Sequence, residues 1–255
     1  RGVLHELALR LVAVRAPRSV SLVVPMHNEE RSLPHLLDVA LEALPRHTDD
    51  WEIVLVDDAS VDGTVAVAEA RSAQEPRIRI VRHALNRGLG GALRSGFAAA
   101  SKEWILYSDC DLPWDLEETG RIFRAAELTG ADVVTGYRHD RTGEGTLRTI
   151  YSFFYNGLIH LAFSFPIRDV NFSCKLIRRS FFDGLPLESE GSFIDAELLV
   201  RLRNRGALVQ QVGLDYFPRT RGVSTLSSPR TILRILGDFA RLTPALRAER
   251  RRLAR

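Results

Sequence analysis

Cysteine is scarce. The 255-residue chain has two, Cys110 and Cys174, too few for a disulfide framework or a cysteine-built zinc site, so a reducing environment is expected. Lysine is scarce as well: of 35 Lys+Arg only Lys102 and Lys175 are lysine. No uninterrupted run of 18 apolar residues occurs, so no transmembrane helix is expected. The nearest stretch, TIYSFFYNGLIHLAFSF at 149–165, is broken by Ser152, Asn156, Gly157, His160 and Ser164 and reads as an interfacial or buried helix pair. The first residues lack a basic start, apolar centre and small-residue cleavage site in succession, so no signal peptide is expected there. The G-K-[ST] of a Walker phosphate loop is absent too.

What is present is a folded chain. Hydrophobic residues make up 45% and charged residues 26%, enough to bury a core and exclude a disordered sequence. The net charge of +3 conceals a split: residues 201–255 hold 13 Lys+Arg against 3 Asp+Glu, while the first 200 residues are net acidic. A cationic C-terminal fifth points to an anionic partner such as a phospholipid surface, a phosphorylated substrate or nucleic acid.

The first half alternates. An amphipathic helix is expected at 3–15 and a buried strand at 19–25, SVSLVVP. A helix follows from Asn28-Glu29-Glu30 through Leu44, stopped by Pro45, then strand WEIVLVDD at 51–58. Asp62-Gly63-Thr64 caps the next helix. Strand 78–83, a small-residue helix from Gly88 to Ala100, strand 104–111 and strand 131–138 complete the series. Near-continuous apolar strands between helices predict an α/β fold with a mostly parallel central sheet flanked by helices, one domain over 1–248. It would divide into halves at 19–138 and 139–248, with 249–255 a basic, solvated tail. Ligands of such sheets bind beyond the carboxyl strand ends. His27-Asn28-Glu29, Asp57-Asp58 and Asp109-Cys110-Asp111 end three of the strands and should converge there.

Asp109 and Asp111 stand two apart at a strand end, where extended backbone would aim both to one side of the sheet. Two hard oxygen donors at an open edge suit Mg²⁺ or Mn²⁺ bridging a diphosphate, although solvated loop acids would look the same. Asp57 or Asp58 could accept hydrogen bonds from a nucleobase or ribose. In Asn86-Arg87-Gly88-Leu89-Gly90-Gly91 the dinucleotide G-x-G-x-x-G spacing fails, which favours a tight turn and close helix packing.

Together these elements resemble the inverting glycosyltransferases of family 2, closest to their dolichol-phosphate or polyprenyl-phosphate sugar synthase branch. The matching pieces, in family order, are VVPMHNEE (23–30), EIVLVDDASVDGT (52–64), NRGLGGALRSGF (86–97), YSDCDLP (107–113), GYR (136–138), DVNFSCKLIRR (169–179) and RTRGVST (219–225). The resemblance implies a GT-A, Rossmann-like nucleotide-binding fold and metal-dependent transfer of a hexose of mannose or glucose type. The donor would be a GDP- or UDP-hexose and the acceptor a polyprenyl or dolichyl phosphate.

It further implies that Pro25, Asn28 and Glu29 line the nucleotide pocket and that Asp57 faces the base. Asp109 would contact the nucleotide side and Asp111 the metal, both serving as its ligands. Arg138 and Arg148 would hold the acceptor phosphate, and Arg219 and Ser224 would lie on a loop closing over the donor diphosphate. The chain departs from the family pattern at His27, where an aromatic residue is common, at Pro113, where Gln often adds a metal contact, and at Thr225, where synthases often show Lys.

The chemistry agrees with this inventory. Charge building on a departing nucleoside diphosphate calls for a cation and Arg. A phosphate acceptor is already ionised and needs no strong base, whereas a hydroxyl acceptor does. Asp195 and Glu197, in SFIDAELLVRL, are the candidates for that base, or else simply favourable charges at a helix start. The 147–168 segment would take a lipid chain, or form an ordinary core helix. Arg230, Arg234, Arg241 and Arg247 alternate with apolar residues in a helix suited to an anionic membrane face or to plain solvent. The expectation is a peripheral enzyme on the cytoplasmic membrane face with no nucleic acid partner. The alternatives are a soluble acceptor, such as a glycan or small hydroxylated metabolite, and a catalytically idle sugar-nucleotide-binding relative.

Overall fold

The computed structural model describes residues 19–140, 146–217 and 229–253. The helix expected at 3–15, and Arg219, Ser224 and Thr225, lie outside the described residues. Seven strands and seven α-helices are present among the described residues: β1 (Ser19–Met26), α1 (Leu33–His47), β2 (Asp50–Asp57), α2 (Thr64–Gln74), β3 (Ile78–Arg82), α3 (Gly88–Ala99), β4 (Trp104–Ser108), α4 (Thr119–Thr129), β5 (Val133–Arg138), α5 (Thr146–Phe163), β6 (Cys174–Arg178), α6 (Ile194–Asn204), β7 (Val209–Leu214) and α7 (Pro229–Leu253).

They form one sheet ordered β3-β2-β1-β4-β6-β5-β7. β1 pairs in parallel with β2 and β4, and β2 with β3. β6 enters antiparallel between β4 and β5, and β7 closes the edge parallel to β5. The mostly parallel sheet is therefore borne out. Side chains on both faces of β1, β2 and β4 are buried, which is why these strands read as continuous apolar runs. One core, holding Leu22, Leu55 and Leu106, packs under α1 and α4; the other, holding Val23, Val56 and Tyr107, packs under α3 and α6.

Four boundaries differ from expectation. Helix α1 runs past Pro45 to His47; a proline in the last turn forfeits little, because few backbone bonds follow it. β4 stops at Ser108, so the acids lie beyond the strand. Residues 149–163 of that stretch lie in one helix, α5, whose internal polar residues do not break the backbone; it ends before Ser164, which has φ 51. Helix α7 continues to Leu253, replacing the expected tail, and Glu249 accepts from Arg201 at 3.2 Å. Both cysteines are free and buried.

A buried carboxylate ties the edge opposite the strand ends that converge. Glu52, 5% exposed, accepts from Ser21 Oγ at 2.7 Å, from Ser101 N–H at 2.6 Å and Oγ at 2.9 Å, and from Arg79 at 3.1 Å. Burial pushes its carboxyl up, but the bonds from Ser21, Ser101 and Arg79 outweigh it and hold the group below its usual 4.5. A lowered pKa means the unfolded chain binds the proton more readily, so this stabilisation is full above pH 4.5 and fades as pH falls through the native value. Glu52→Gln should cost about 2 kcal/mol at pH 7. In denaturant melts the gap from the parent chain should narrow below pH 4.5; an unchanged gap at pH 3.5 would remove Glu52 from this role.

Candidate active site

Strand order reverses between β1 and β4, so the loops after these strands flank a crevice at the sheet's carboxyl edge. Three non-glycine residues there adopt left-handed backbone: Asn28 (φ 59), Ala59 (φ 60) and Leu112 (φ 49). Such strain gathers where a backbone must be aimed.

On one side the turn after β1 is locked to the loop after β2. Asn28 donates its backbone N–H to Ser60 Oγ (3.0 Å), and its Oδ1 accepts from Val61 N–H (2.9 Å). Glu29 N–H donates to Thr64 Oγ1 (2.8 Å). Asp62 accepts from Thr64 N–H (3.0 Å), the expected turn chemistry before α2. Asn28 is exposed, Pro25 and Glu29 are half-buried, and Asp57 is buried with Oδ1 accepting from Ser60 N–H (3.2 Å). The first three and Asp57 thus share one wall.

Asp58 has a different task. Its Oδ1 accepts from Arg87 N–H (2.8 Å) and lies 2.7 Å from His83 Nδ1, while His83 Nε2 lies 2.8 Å from Ser95 Oγ. In the tautomer this network favours, Nδ1 donates to the carboxylate and Nε2 accepts from the serine. The 83–87 loop is held to β2 this way, so Asp58 does not stand ready for a nucleobase. The glycines that follow serve packing. A Cβ on Gly90 would lie 1.9 Å from the Ser189 carbonyl oxygen, and Gly90 N–H donates to the Glu190 carbonyl (3.0 Å).

Opposite lies an acidic centre. Asp109, Cys110 and Asp111 form a turn with Leu112 N–H approaching the Asp109 carbonyl, and both aspartates are half-buried. The extended backbone expected at these acids is thus replaced by a turn. Tyr107 donates its hydroxyl to Asp109 Oδ1 (3.1 Å). Burial and the carboxylates of Asp109, Asp195 and Asp111 hold that phenol well above its usual pKa. Below them Asp195 Oδ1 accepts from Lys175 Nζ (2.6 Å), which also donates to the Phe172 carbonyl (2.7 Å). Burial pushes the Asp195 carboxyl up, and Lys175 partly opposes this. Glu197 is excluded as a base: its carboxylate accepts from Glu188 N–H, Ser189 N–H and Arg201 Nε, fixing the loop that packs on Gly90.

At the end of β5, Arg138 forms a fork with Asp169, Nε to Oδ2 at 2.7 Å and Nη2 to Oδ1 at 2.8 Å. Its guanidinium lies 5.1 Å from the Tyr216 ring centre. Arg138 and Asn171 line a groove of about 230 Å³ with Tyr151, Phe154, Tyr155 and Leu158 of α5 and Ile232, Ile235 and Leu236 of α7. One end is polar and the rest apolar. Arg148 is in the first turn of α5, the helix that lines this groove.

A model of the family described as glycosyl transferase family 2 matches residues 21–185. The chain belongs to that family. It is 30% identical over 250 residues to glycosyltransferase AglD of Haloferax volcanii, covering 94% of this chain and 40% of that protein. It is 32% identical over 170 residues to undecaprenyl-phosphate 4-deoxy-4-formamido-L-arabinose transferase of Photorhabdus laumondii, covering 66% of this chain and 51% of the relative. The chain thus spans about half the length of these curated relatives. Among solved structures it resembles glucosyl-3-phosphoglycerate synthase of Mycobacterium tuberculosis in complex with Mn²⁺, uridine diphosphate and phosphoglyceric acid. The TM-score is 0.68 and the identity 21%, with 94% of this chain and 81% of that one covered. The fold is GT-A.

In this family 2 chain the donor set fits a divalent ion. Asp109 and Asp111 are two hard oxygens on one turn. That suits Mg²⁺ or Mn²⁺, which keep octahedral positions for phosphate and water, and not a closed protein cage. Sequence reasoning missed three residues of the site. His83 is the polar end of β3, by analogy with the acids ending β1, β2 and β4. Lys175 is one of two lysines in an arginine-rich chain, a rarity worth reading as a signal. Asp169 opened a quoted motif without a role.

Proposed function

We propose that this chain transfers a hexose, with inversion, from a nucleotide-diphosphate sugar to a polyprenyl phosphate. The observation behind this reading is the apolar groove that ends at Arg138. A lipid chain fits Phe154, Leu158, Ile232 and Leu236 while its phosphate reaches a cationic, hydrogen-bonding end. The names of the relatives lend support, since one is an undecaprenyl-phosphate transferase.

The donor nucleoside lies along Pro25, Asn28, Glu29 and Asp57, with its diphosphate over Asp109 and Asp111. A divalent cation held there supplies charge neutralisation for the departing diphosphate. Arg219 and Ser224 complete the donor side, and Arg138 with Arg148 holds the acceptor phosphate. That phosphate is ionised near neutral pH, its second pKa being about 6, so it attacks the anomeric carbon without a base. Asp195 then acts as the counter-charge of Lys175 under the acids, positioning Tyr107 and Asp109.

No helix among the described residues is long and apolar enough to cross a membrane. Phe153, Phe154 and Leu161 of α5 and Leu233 and Leu236 of α7 are nonetheless exposed, and Arg247, Arg250 and Arg251 of α7 line a cavity with Ala162 and Phe163 at the end of α5. Exposed apolar side chains and arginines on the same two helices suit a peripheral seat on an anionic bilayer at the cytoplasmic face.

The test supplies radiolabelled UDP- or GDP-hexose with Mn²⁺ and, as acceptors, a polyprenyl phosphate in anionic vesicles or a soluble phosphorylated acid. Metal-dependent transfer to the lipid is expected from one nucleotide. Transfer to the soluble acid alone would install the soluble-acceptor reading, and failure of either nucleotide to bind calorimetrically would favour an idle relative.

A further inference from the structure

Two buried polar atoms in the groove have no hydrogen-bond partner among the described residues: the hydroxyl of Tyr155 and Oδ1 of Asn171. Both residues line the cavity that holds Arg138. Leaving a buried hydroxyl unsatisfied costs about 1–3 kcal/mol, so its retention calls for a ligand that completes it. The neighbouring polar side chains of α5 show the contrast. Asn156 donates to the Arg168 carbonyl (3.1 Å) and accepts from Val170 N–H (3.1 Å), pinning the segment ahead of β6. Tyr155, one residue earlier, is pinned to nothing.

Its surroundings fix its chemistry. Burial, together with Asp195 and Asp238, holds the phenol well above its usual pKa, so the hydroxyl stays protonated and is available as a donor. Asp195 also acts on Tyr107, beside the acidic turn, and Tyr155 lines the groove together with Arg138. A ligand there must offer an acceptor oxygen. An apolar chain alone would leave the hydroxyl unsatisfied.

We infer that Tyr155 donates a hydrogen bond to the acceptor's phosphate, as the neutral partner of Arg138. The inference rests on the polyprenyl-phosphate reading. A neutral donor holds a phosphate oxygen without adding charge that would weaken its nucleophilicity as Arg does, so Tyr155 positions more than it neutralises.

Tyr155→Phe tests this, since it removes one oxygen and keeps the ring that packs on the core. Acceptor KM should rise about 10-fold or more, the range for a lost hydrogen bond to a charged group. Donor KM should stay within twofold, and melting temperature should hold or rise because an orphaned hydroxyl is gone. An unchanged acceptor KM would overturn the proposal. A parent chain that transfers to no polyprenyl phosphate would overturn the underlying reading instead. Inorganic phosphate as competitor separates the head group from the chain: it should inhibit the parent more strongly than Tyr155→Phe, and equal inhibition of both would also overturn it.

Discussion

Replacing Asp111 with alanine should lower turnover by about 10³-fold or more while leaving the chain folded. The size of the effect follows from what the acidic turn is for. Asp109 and Asp111 are two half-buried carboxylates on one turn, and a divalent ion held by these two oxygens, as proposed, should be released by the loss of one. Stability should move little, because the turn sits among like charges: Asp109, Asp195 and Asp111 all act on Tyr107. Removing one of them relieves repulsion. Calorimetry with Mn²⁺ and UDP checks the cause, since metal-dependent nucleotide binding should vanish together with turnover. Normal turnover of the variant in chelator-treated buffer would refute the metal assignment.

The first half of the fold was legible because parallel strands buried on both faces announce themselves as unbroken apolar runs. The positions of Asp57 and Asp109 follow from that, since a strand's end is where its apolar run stops. The second half was not legible for a definite reason. β6 pairs antiparallel with both β4 and β5, contacts far apart in sequence that no local period encodes. The same limit applies in the site. Nothing local distinguishes Asp58, which clamps the 83–87 loop through His83, from Asp57, which stays at the crevice. Nor does helix position separate Asp195, under the acidic turn, from Glu197, which faces the 188–189 backbone. The glycine-rich motif was rightly read as packing, since what Gly90 accommodates is the carbonyl of Ser189, a residue about a hundred positions away.

Arg138→Ala should be the most destabilising change at the site. Arg138 and Asp169 are both buried, with side chains 6% and 1% exposed, and are joined by two charge-assisted bonds. Truncating the arginine leaves the Asp169 carboxylate in the interior without its fork, at about 3–5 kcal/mol. For a chain of this size that corresponds to a fall in melting temperature of roughly 10 °C. Arg138→Ala with Asp169→Asn should recover part of the loss, since the orphaned charge is then gone. A single variant that melts like the parent would show the pair to be structurally idle. Catalysis is better read from Arg138→Lys, which keeps a positive charge but loses the planar fork. Because Arg138 lines the apolar groove proposed for the acceptor, acceptor KM should rise about 10-fold with donor KM nearly unchanged. Equal rises in both would move Arg138 out of the acceptor subsite and take the orientation of the groove with it.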